Sequence, residues 1–218
     1  MKELGERHAA VLKGTTIFLQ SVKSPTKVAR LLQPGQQNAK LGGMIKKGKW
    51  SGMPIYSLTL EERKTCPKTC DQWRTCYGNN MPFANRIDHQ SRKFFGELEQ
   101  EVKVLASKHS GGFVVRLHVL GDFYSMAYVR FWEALLLKHK NLRIFGYTHR
   151  QKDTPIGRAI SSLNTMGAWV RWSDAGGSMS ANVEGEGITC PEQLGKTKSC
   201  STCGLCWSTP LAINFLRH

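Results

Sequence analysis

The chain has 218 residues, with 31 Lys and Arg against 16 Asp and Glu, a formal net charge of +15 and 7 cysteines. That length suits one α/β domain or two small ones, and it can bury a core without disulfides; 40% hydrophobic residues with 9% aromatics exclude a disordered chain. No apolar run approaches the roughly 18 residues of a membrane span and the first residues carry no signal-peptide stretch, which excludes a membrane protein and a secreted disulfide miniprotein.

Residues 1–35 contain Pro25 and Pro34 and no long period, and Leu12, Ile17 and Phe18 suggest a short packed element. Residues 35–49, rich in Gly, Gln and Lys, read as loop. The positive charge is densest here: residues 1–50 hold ten Lys and Arg against Glu3 and Glu6, including Lys40 and the cluster Lys46, Lys47 and Lys49. Such an excess attracts phosphate or nucleic acid, and it equally fits a soluble basic surface or compensation of a buried anionic site. Met53–Leu60 alternates and predicts a strand, with the first cysteines directly after it. From Ser91 to Lys108, residues Phe94, Leu98, Val102 and Leu105 fall at helical spacing, and Gly111-Gly112 ends the helix. Phe113–Leu120 predicts a second strand and Gly121–Tyr124 a turn. Ser125 caps a helix to about Lys138, with Val129, Trp132, Leu135 and Leu136 inward.

Leu142–Tyr147 predicts a third strand. Thr154-Pro155 supplies a cap and a first-turn proline for a helix carrying Ile156, Ile160 and Leu163. Ala168–Trp172 predicts a fourth strand, Ser173–Ser180 a glycine-rich loop and Leu211–Leu216 a last strand beyond an irregular cysteine-rich stretch. Alternating strands and helices imply parallel strands with right-handed crossovers. The fold class expected is α/β, a partial (β/α) barrel or an open, mostly parallel sheet; eight full units need about 250 residues. The organisation expected is a basic N-terminal extension at 1–49, an α/β core at 50–180 and a cysteine-rich cluster-binding region at 181–218 packed on the core.

The seven cysteines form two groups. Cys66, Cys70 and Cys76 have the spacing C-x3-C-x5-C; Cys190, Cys200, Cys203 and Cys206 have C-x9-C-x2-C-x2-C. In a reducing cytosol a metal is the better explanation than disulfides. Consecutive two-residue gaps suit an iron–sulfur cube better than the separated pairs of structural zinc. Four thiolates close a 4Fe-4S cluster, whereas three leave one iron open to a substrate or cofactor. Alternatives for the first group are a site completed by His89 or Asp71, zinc, or plain loop cysteines. One cluster or two, and iron or zinc at each, stay open at this point.

In parallel α/β folds the chemistry gathers at the C-terminal ends of strands. Those ends offer Arg116, His118, Gly121 and Asp122, then Tyr147, Thr148, His149 and Arg150, then Arg171, Ser173, Asp174, Gly176 and Gly177. Arg116, His118, Asp122, Arg150 and Asp174 are the candidate catalytic residues. Arg116 and His118 share parity and are expected on one strand face, with Asp122 or Asp174 as partner; a structural salt-bridge network fits the same residues. Tyr77, Gly121, Asp122, Gly176 and Gly177 are the candidate cofactor contacts.

A strand leading into a three-cysteine loop, followed by repeated α/β units, resembles the radical S-adenosylmethionine superfamily. That resemblance implies that Cys66, Cys70 and Cys76 hold a catalytic cluster whose open iron takes the amino and carboxylate groups of S-adenosylmethionine, that Gly121-Asp122 contacts the cofactor amino group, and that the C-terminal four cysteines hold an auxiliary cluster. The usual spacing is C-x3-C-x2-C; here the second gap has five residues, and Thr75 stands where an aromatic normally precedes the last cysteine. A closer resemblance runs through Lys40-Leu-Gly-Gly, Met53–Leu60, Thr65-Cys-Pro, Cys76-Tyr-Gly-Asn-Asn-Met, Arg116–Ser125 and Cys200–Trp207. These motifs are similar to a family of phage and prophage proteins known by gene-product names, which implies a viral protein in a bacterial cytoplasm. The leading expectation is a phage iron–sulfur enzyme of radical type acting on a nucleotide or nucleic acid through its basic N-terminal third, with an electron donor as partner and no membrane. The alternatives are a non-catalytic iron–sulfur or zinc protein that binds nucleic acid or a host protein, and an electron-transfer module.

Overall fold

A computed structural model describes residues 2–217. In chain order it contains α1 (Ala9–Lys13), β1 (Val22–Lys23), β2 (Leu32–Pro34), β3 (Ile55–Leu58), β4 (Arg86–Ile87), α2 (Phe94–Lys108), β5 (Phe113–Leu117) and α3 (Met126–Lys138). There follow β6 (Leu142–Thr148), α4 (Pro155–Thr165), β7 (Trp169–Ser173), β8 (Ser180–Val183), β9 (Ile188–Thr189), α5 (Cys200–Cys203) and β10 (Ile213–Phe215). Eight strands make one sheet in the order β2-β3-β5-β6-β7-β8-β10-β9. Only β2 runs antiparallel to its neighbour; the remaining pairings are parallel. The edges are β2 and β9, so the sheet is open and does not close into a barrel. A short parallel pair, β1 with β4, forms a second sheet, joined to the chain after β3 where Ile87 N donates to Thr59 O at 2.9 Å.

The sheet buries both faces. On one, Phe113, Val115, Leu117, Leu142, Ile144 and Val170 pack against the apolar stripes of α2, α3 and α4. Alternation along the strands sends Ile55, Val114 and Phe145 to the other face, where Leu41, Ile45, Trp50 and Trp207 cover them. Segments near the two ends of the chain therefore form the second cover. The helices begin as their sequence dictates: Ser125 accepts from Tyr128 N at 3.2 Å, and Thr154 accepts from Gly157 N at 3.1 Å with Pro155 in the first turn.

Several sequence expectations need correction. The first strand is shorter, Ile55–Leu58, and α2 starts at Phe94 after a turn at Ser91. The second strand stops at Leu117 because His118 adopts φ +62°, outside the extended range. Leu12 is 71% exposed and belongs to no core. The C-terminal stretch carries β8 and β9 as well as the expected β10, which together add three strands to the sheet. Among the described residues no helix is long and apolar enough to cross a membrane.

Candidate functional site

The chain leaves β3 through Glu61, Glu62 and Arg63, passes the first three cysteines and returns at β4. Two buried arginines hold this loop. Arg86 donates from Nε to Glu62 Oε2 at 2.6 Å and from Nη2 to Glu62 Oε1 at 3.1 Å. Its remaining N–H groups reach Ser21 Oγ and the carbonyls of Gly78, Met81 and Ala84 at 2.8–3.1 Å. Arg63 donates to Trp73 O at 2.8 Å, Thr15 O at 3.2 Å and Asn79 Oδ1 at 2.5 Å. The backbone on both sides of Cys76 is thus tied to the chain that follows β3.

The second group is held by the same device. Arg171, fully buried in β7, donates to the carbonyls of Cys206 at 3.0 Å, Leu211 at 2.8 Å, Leu205 and Ser180 at 3.3 Å, and also to Thr209 O. Tyr147 of β6 donates its hydroxyl to Cys206 Sγ at 3.0 Å. From the other end of the chain, Cys200 N donates to Lys40 O at 2.7 Å, Ser201 N to Leu41 O at 3.0 Å and Lys46 N to Ser201 O at 2.9 Å. Lys40 also pairs with Glu192 at 3.2 Å. Part of the basic N-terminal segment therefore lies against the second cysteine group.

All seven cysteines are free. Burial pushes the Cys66 thiol well up, and the neighbouring Asp122, Cys70 and Cys76 add to the rise. Cys70 is pushed up to about 12, mainly by burial and further by Cys76 and Asp122. Cys200 is likewise pushed up to about 12 by burial, then by Cys206 and Cys190. Burial also raises Cys206, with Cys190 and Cys203 contributing. Each group is thus close enough for its thiols to act on one another, and each is costly to ionise without a cation. Among the described residues no group of three or more His, Cys, Asp or Glu side chains is arranged to hold a metal ion. The donor set is that of a soft metal; the thiols are gathered, not convergent, and ligation requires them to turn toward a common point.

The strand-end residues divide between the two faces. Arg116 lies over Tyr147, with its guanidinium carbon 5.4 Å from the ring centroid, and its charge acts on Cys200. Its buried Nε has no hydrogen-bond partner among the described residues. His118 turns to the helix side, where Nε2 meets Tyr128 Oη at 3.0 Å and the ring packs edge-on against Phe123. Arg116 and His118 therefore do not share a face: the positive φ at His118 breaks the alternation. Neither Asp122 nor Asp174 bonds to either of them. Asp122 is buried and accepts from Phe123 N at 2.6 Å, Thr148 Oγ1 at 2.7 Å and His149 N at 2.8 Å. Burial raises its pKa against those donors.

Arg150 donates to Phe123 O at 2.7 Å and to Thr65 O, one residue before Cys66, at 2.8 Å. Thr65, Asp122 and Arg150 thus form one frame beside the first thiols, and Asp174 is absent from it. Asp174 instead accepts from Val183 N at 2.8 Å in an exposed turn. Gly121 has φ +91°, and a Cβ there would meet Thr65 Oγ1 at 2.6 Å and Leu60 Cβ at 2.8 Å, so its missing side chain serves packing. Gly176 and Gly177 have φ +66° and +68° with open space around them, and they border a cavity of about 490 Å³. Tyr77, 47% exposed, follows Cys76 in a short 3-10 turn. Sequence reasoning missed Glu62, Arg63 and Arg86 as parts of the site; it placed Tyr147 and Arg171 at strand ends and Lys40 in the basic segment without assigning them to the second cysteine group.

The model of one family, described as gene product 88, matches residues 27–160, more than half of the chain and including the first cysteine group. The chain belongs to the gene product 88 family. This is a phage-type family, and the match supports a bacteriophage protein. It ends before the second cysteine group, so Cys190, Cys200, Cys203 and Cys206 lie outside it. No curated protein and no solved structure matches the chain, and no likeness to the radical S-adenosylmethionine enzymes emerges from these comparisons.

Proposed function

We propose that this gene product 88 protein is a phage iron–sulfur protein that works inside the infected bacterium. The observation that supports it is the sorting of all seven free cysteines into two mutually interacting thiol groups, each on a loop clamped by a buried arginine. Cys66, Cys70 and Cys76 would hold one 4Fe-4S cluster with an iron open to a ligand. Cys190, Cys200, Cys203 and Cys206 would close a second. A three-thiolate cluster supplies electron transfer to a ligand on its open iron. Around it, Arg150 and Asp122 keep the Thr65–Cys66 backbone in place. Beside the second group, Tyr147 donates to Cys206 Sγ, and Arg116 and Lys40 bring positive charge that offsets an anionic cluster. An electron donor would be the redox partner.

The narrower reading, a radical enzyme using S-adenosylmethionine on a nucleotide or nucleic acid, assigns that ligand to the open iron. The test is electron paramagnetic resonance of anaerobically purified, reduced protein with and without S-adenosylmethionine, together with assay for 5′-deoxyadenosine. A cluster signal that changes with the cofactor supports the enzyme; a cluster signal that does not change, with no 5′-deoxyadenosine, leaves the iron–sulfur reading and removes the enzyme.

The commitment of Asp122 and His118 to buried packing favours a second reading, in which the clusters, or zinc, serve a non-catalytic protein that binds nucleic acid. Nucleic-acid binding that persists after Cys66, Cys70 and Cys76 are replaced by Ala would favour it.

A further inference from the structure

A cavity of about 620 Å³ opens where β6 begins, within the size range of ligand sites. Met53, Leu142 and Trp50 give it an apolar wall; Lys49, Lys140 and Arg143 give it charge, and no carboxylate lines it. The polypeptide entering β3, β6 and β7 meets here, so the cavity sits at the opposite end of the parallel strands from the first cysteine loop. None of Lys46, Lys47, Lys49, Lys140 and Arg143 has an ion-pair partner among the described residues, although Lys40, Arg74, Arg86, Arg130 and Lys138 do.

The simplest account of cations at a helix C-terminus is that they offset its exposed carbonyls. It covers Arg143 in part, since Nη1 donates to Lys140 O and Leu142 O, both at 2.7 Å, just beyond the end of α3. Among the described residues its Nε and Nη2 have no such partner. The account does not cover Lys49, which arrives from the turn before β3. Lys49 Nζ rests 4.4 Å from the Trp169 ring centroid, a cation–π contact in place of an anion. Burial, then the Arg143 charge, lowers the Lys49 pKa, and no carboxylate lines the cavity beside them.

We propose that this cavity binds the phosphodiester backbone of a nucleic acid. Lys49, Lys140 and Arg143 surround one phosphate, and the exposed Lys46 and Lys47 on the same turn carry the track past the cavity. That extension of charge beyond a single pocket is what favours a polymer over a mononucleotide. The site does not depend on the clusters.

The test is fluorescence anisotropy of labelled oligonucleotides, single-stranded and duplex, titrated with the full chain over a range of salt. Replacing Lys49→Gln and Arg143→Gln together is expected to weaken binding about tenfold and to reduce the slope of log K against log salt by about 2, one for each cation removed from the phosphate track. The control pair Lys13→Gln and Lys27→Gln, exposed in the same basic third and removing equal charge, is expected to change binding less than twofold. The Lys49→Gln, Lys140→Gln pair tests the same cavity through surface lysines alone, and melting curves confirm folding. Equal loss in the control pair, or no oligonucleotide binding by the wild type, overturns the proposal. Displacement of the oligonucleotide by ATP at matched phosphate concentration overturns the assignment to a polymer. Iron content, measured on the same samples, is expected to be unchanged by every variant.

Discussion

Glu62 and Arg86 form an ion pair at 2.6 Å whose side chains are 1% and 0% exposed. Thr16 Oγ1 donates to Glu62 Oε1 at 2.8 Å, so the N-terminal segment, the chain after β3 and the chain entering β4 meet at one carboxylate. A pair so deeply buried is costly to form, yet breaking it is costlier because one charge is left alone. Its place in the molecule explains why it exists: it fixes both ends of the first cysteine loop.

Arg86→Met is therefore expected to destabilise the fold by about 3–5 kcal/mol, read from urea unfolding. Adding Glu62→Gln to it should recover part of that loss, since the carboxylate that Arg86 leaves unpaired is then gone. Cys76 should become more reactive toward a thiol reagent in the single variant. Equal stability of wild type and Arg86→Met would contradict the clamp.

Arg171 makes the corresponding prediction for the second group. Lys in its place cannot reach carbonyls as far apart as those of Ser180, Cys206 and Leu211. Arg171→Lys should expose the 200–212 segment to limited proteolysis, at a cost of about 2–4 kcal/mol, while α2, α3 and α4 stay protected. Uniform protection throughout would assign the C-terminal segment another anchor.

His118 links stability to pH. Burial, with a smaller push from the Arg116 charge, holds its pKa down to about 3, against an ordinary 6.5. The unfolded chain takes up the proton first as pH falls, so the contribution is full above about pH 6.5 and is lost progressively toward pH 3. His118→Asn, which tolerates a left-handed φ, should flatten the fall in unfolding free energy between pH 6 and pH 4 relative to wild type. Parallel curves would mean that His118 is protonated in the folded protein.

Gly121→Ala combines a strained φ of +91° with a clash against Thr65 and Leu60. Because Thr65 O is the acceptor for Arg150, the substitution should cost about 2–3 kcal/mol and loosen the Cys66 loop. The readout is faster labelling of Cys66 together with a lowered midpoint in urea. A midpoint that does not move would contradict this close approach.

The helices were legible because their information is local. Apolar spacing at Phe94, Leu98, Val102 and Leu105, and the caps at Ser125 and Thr154, carry α2, α3 and α4. The strands β8 and β9 were not, because they are short and bear Asn182 and glycine neighbours instead of an alternating apolar run. Parity misled at His118 because one left-handed residue reverses the face. The clamps were illegible for a different reason. Arg86 and Arg171 are isolated in sequence, and their partners are mostly backbone carbonyls, which carry no residue identity. The closeness of Lys40 to Cys200 joins opposite ends of the chain. It gives part of the basic excess a local use at the second thiol group, whereas Lys46, Lys47 and Lys49 form no ion pair among the described residues.

The central claim, that the two thiol groups hold iron–sulfur clusters, is tested most directly by metal and acid-labile sulfide content of anaerobically purified protein. Two four-iron clusters predict about eight irons and eight sulfides per chain, falling to about four of each in Cys203→Ala and again to about four in Cys70→Ala. Zinc without sulfide, or a full complement retained in both variants, would contradict the account.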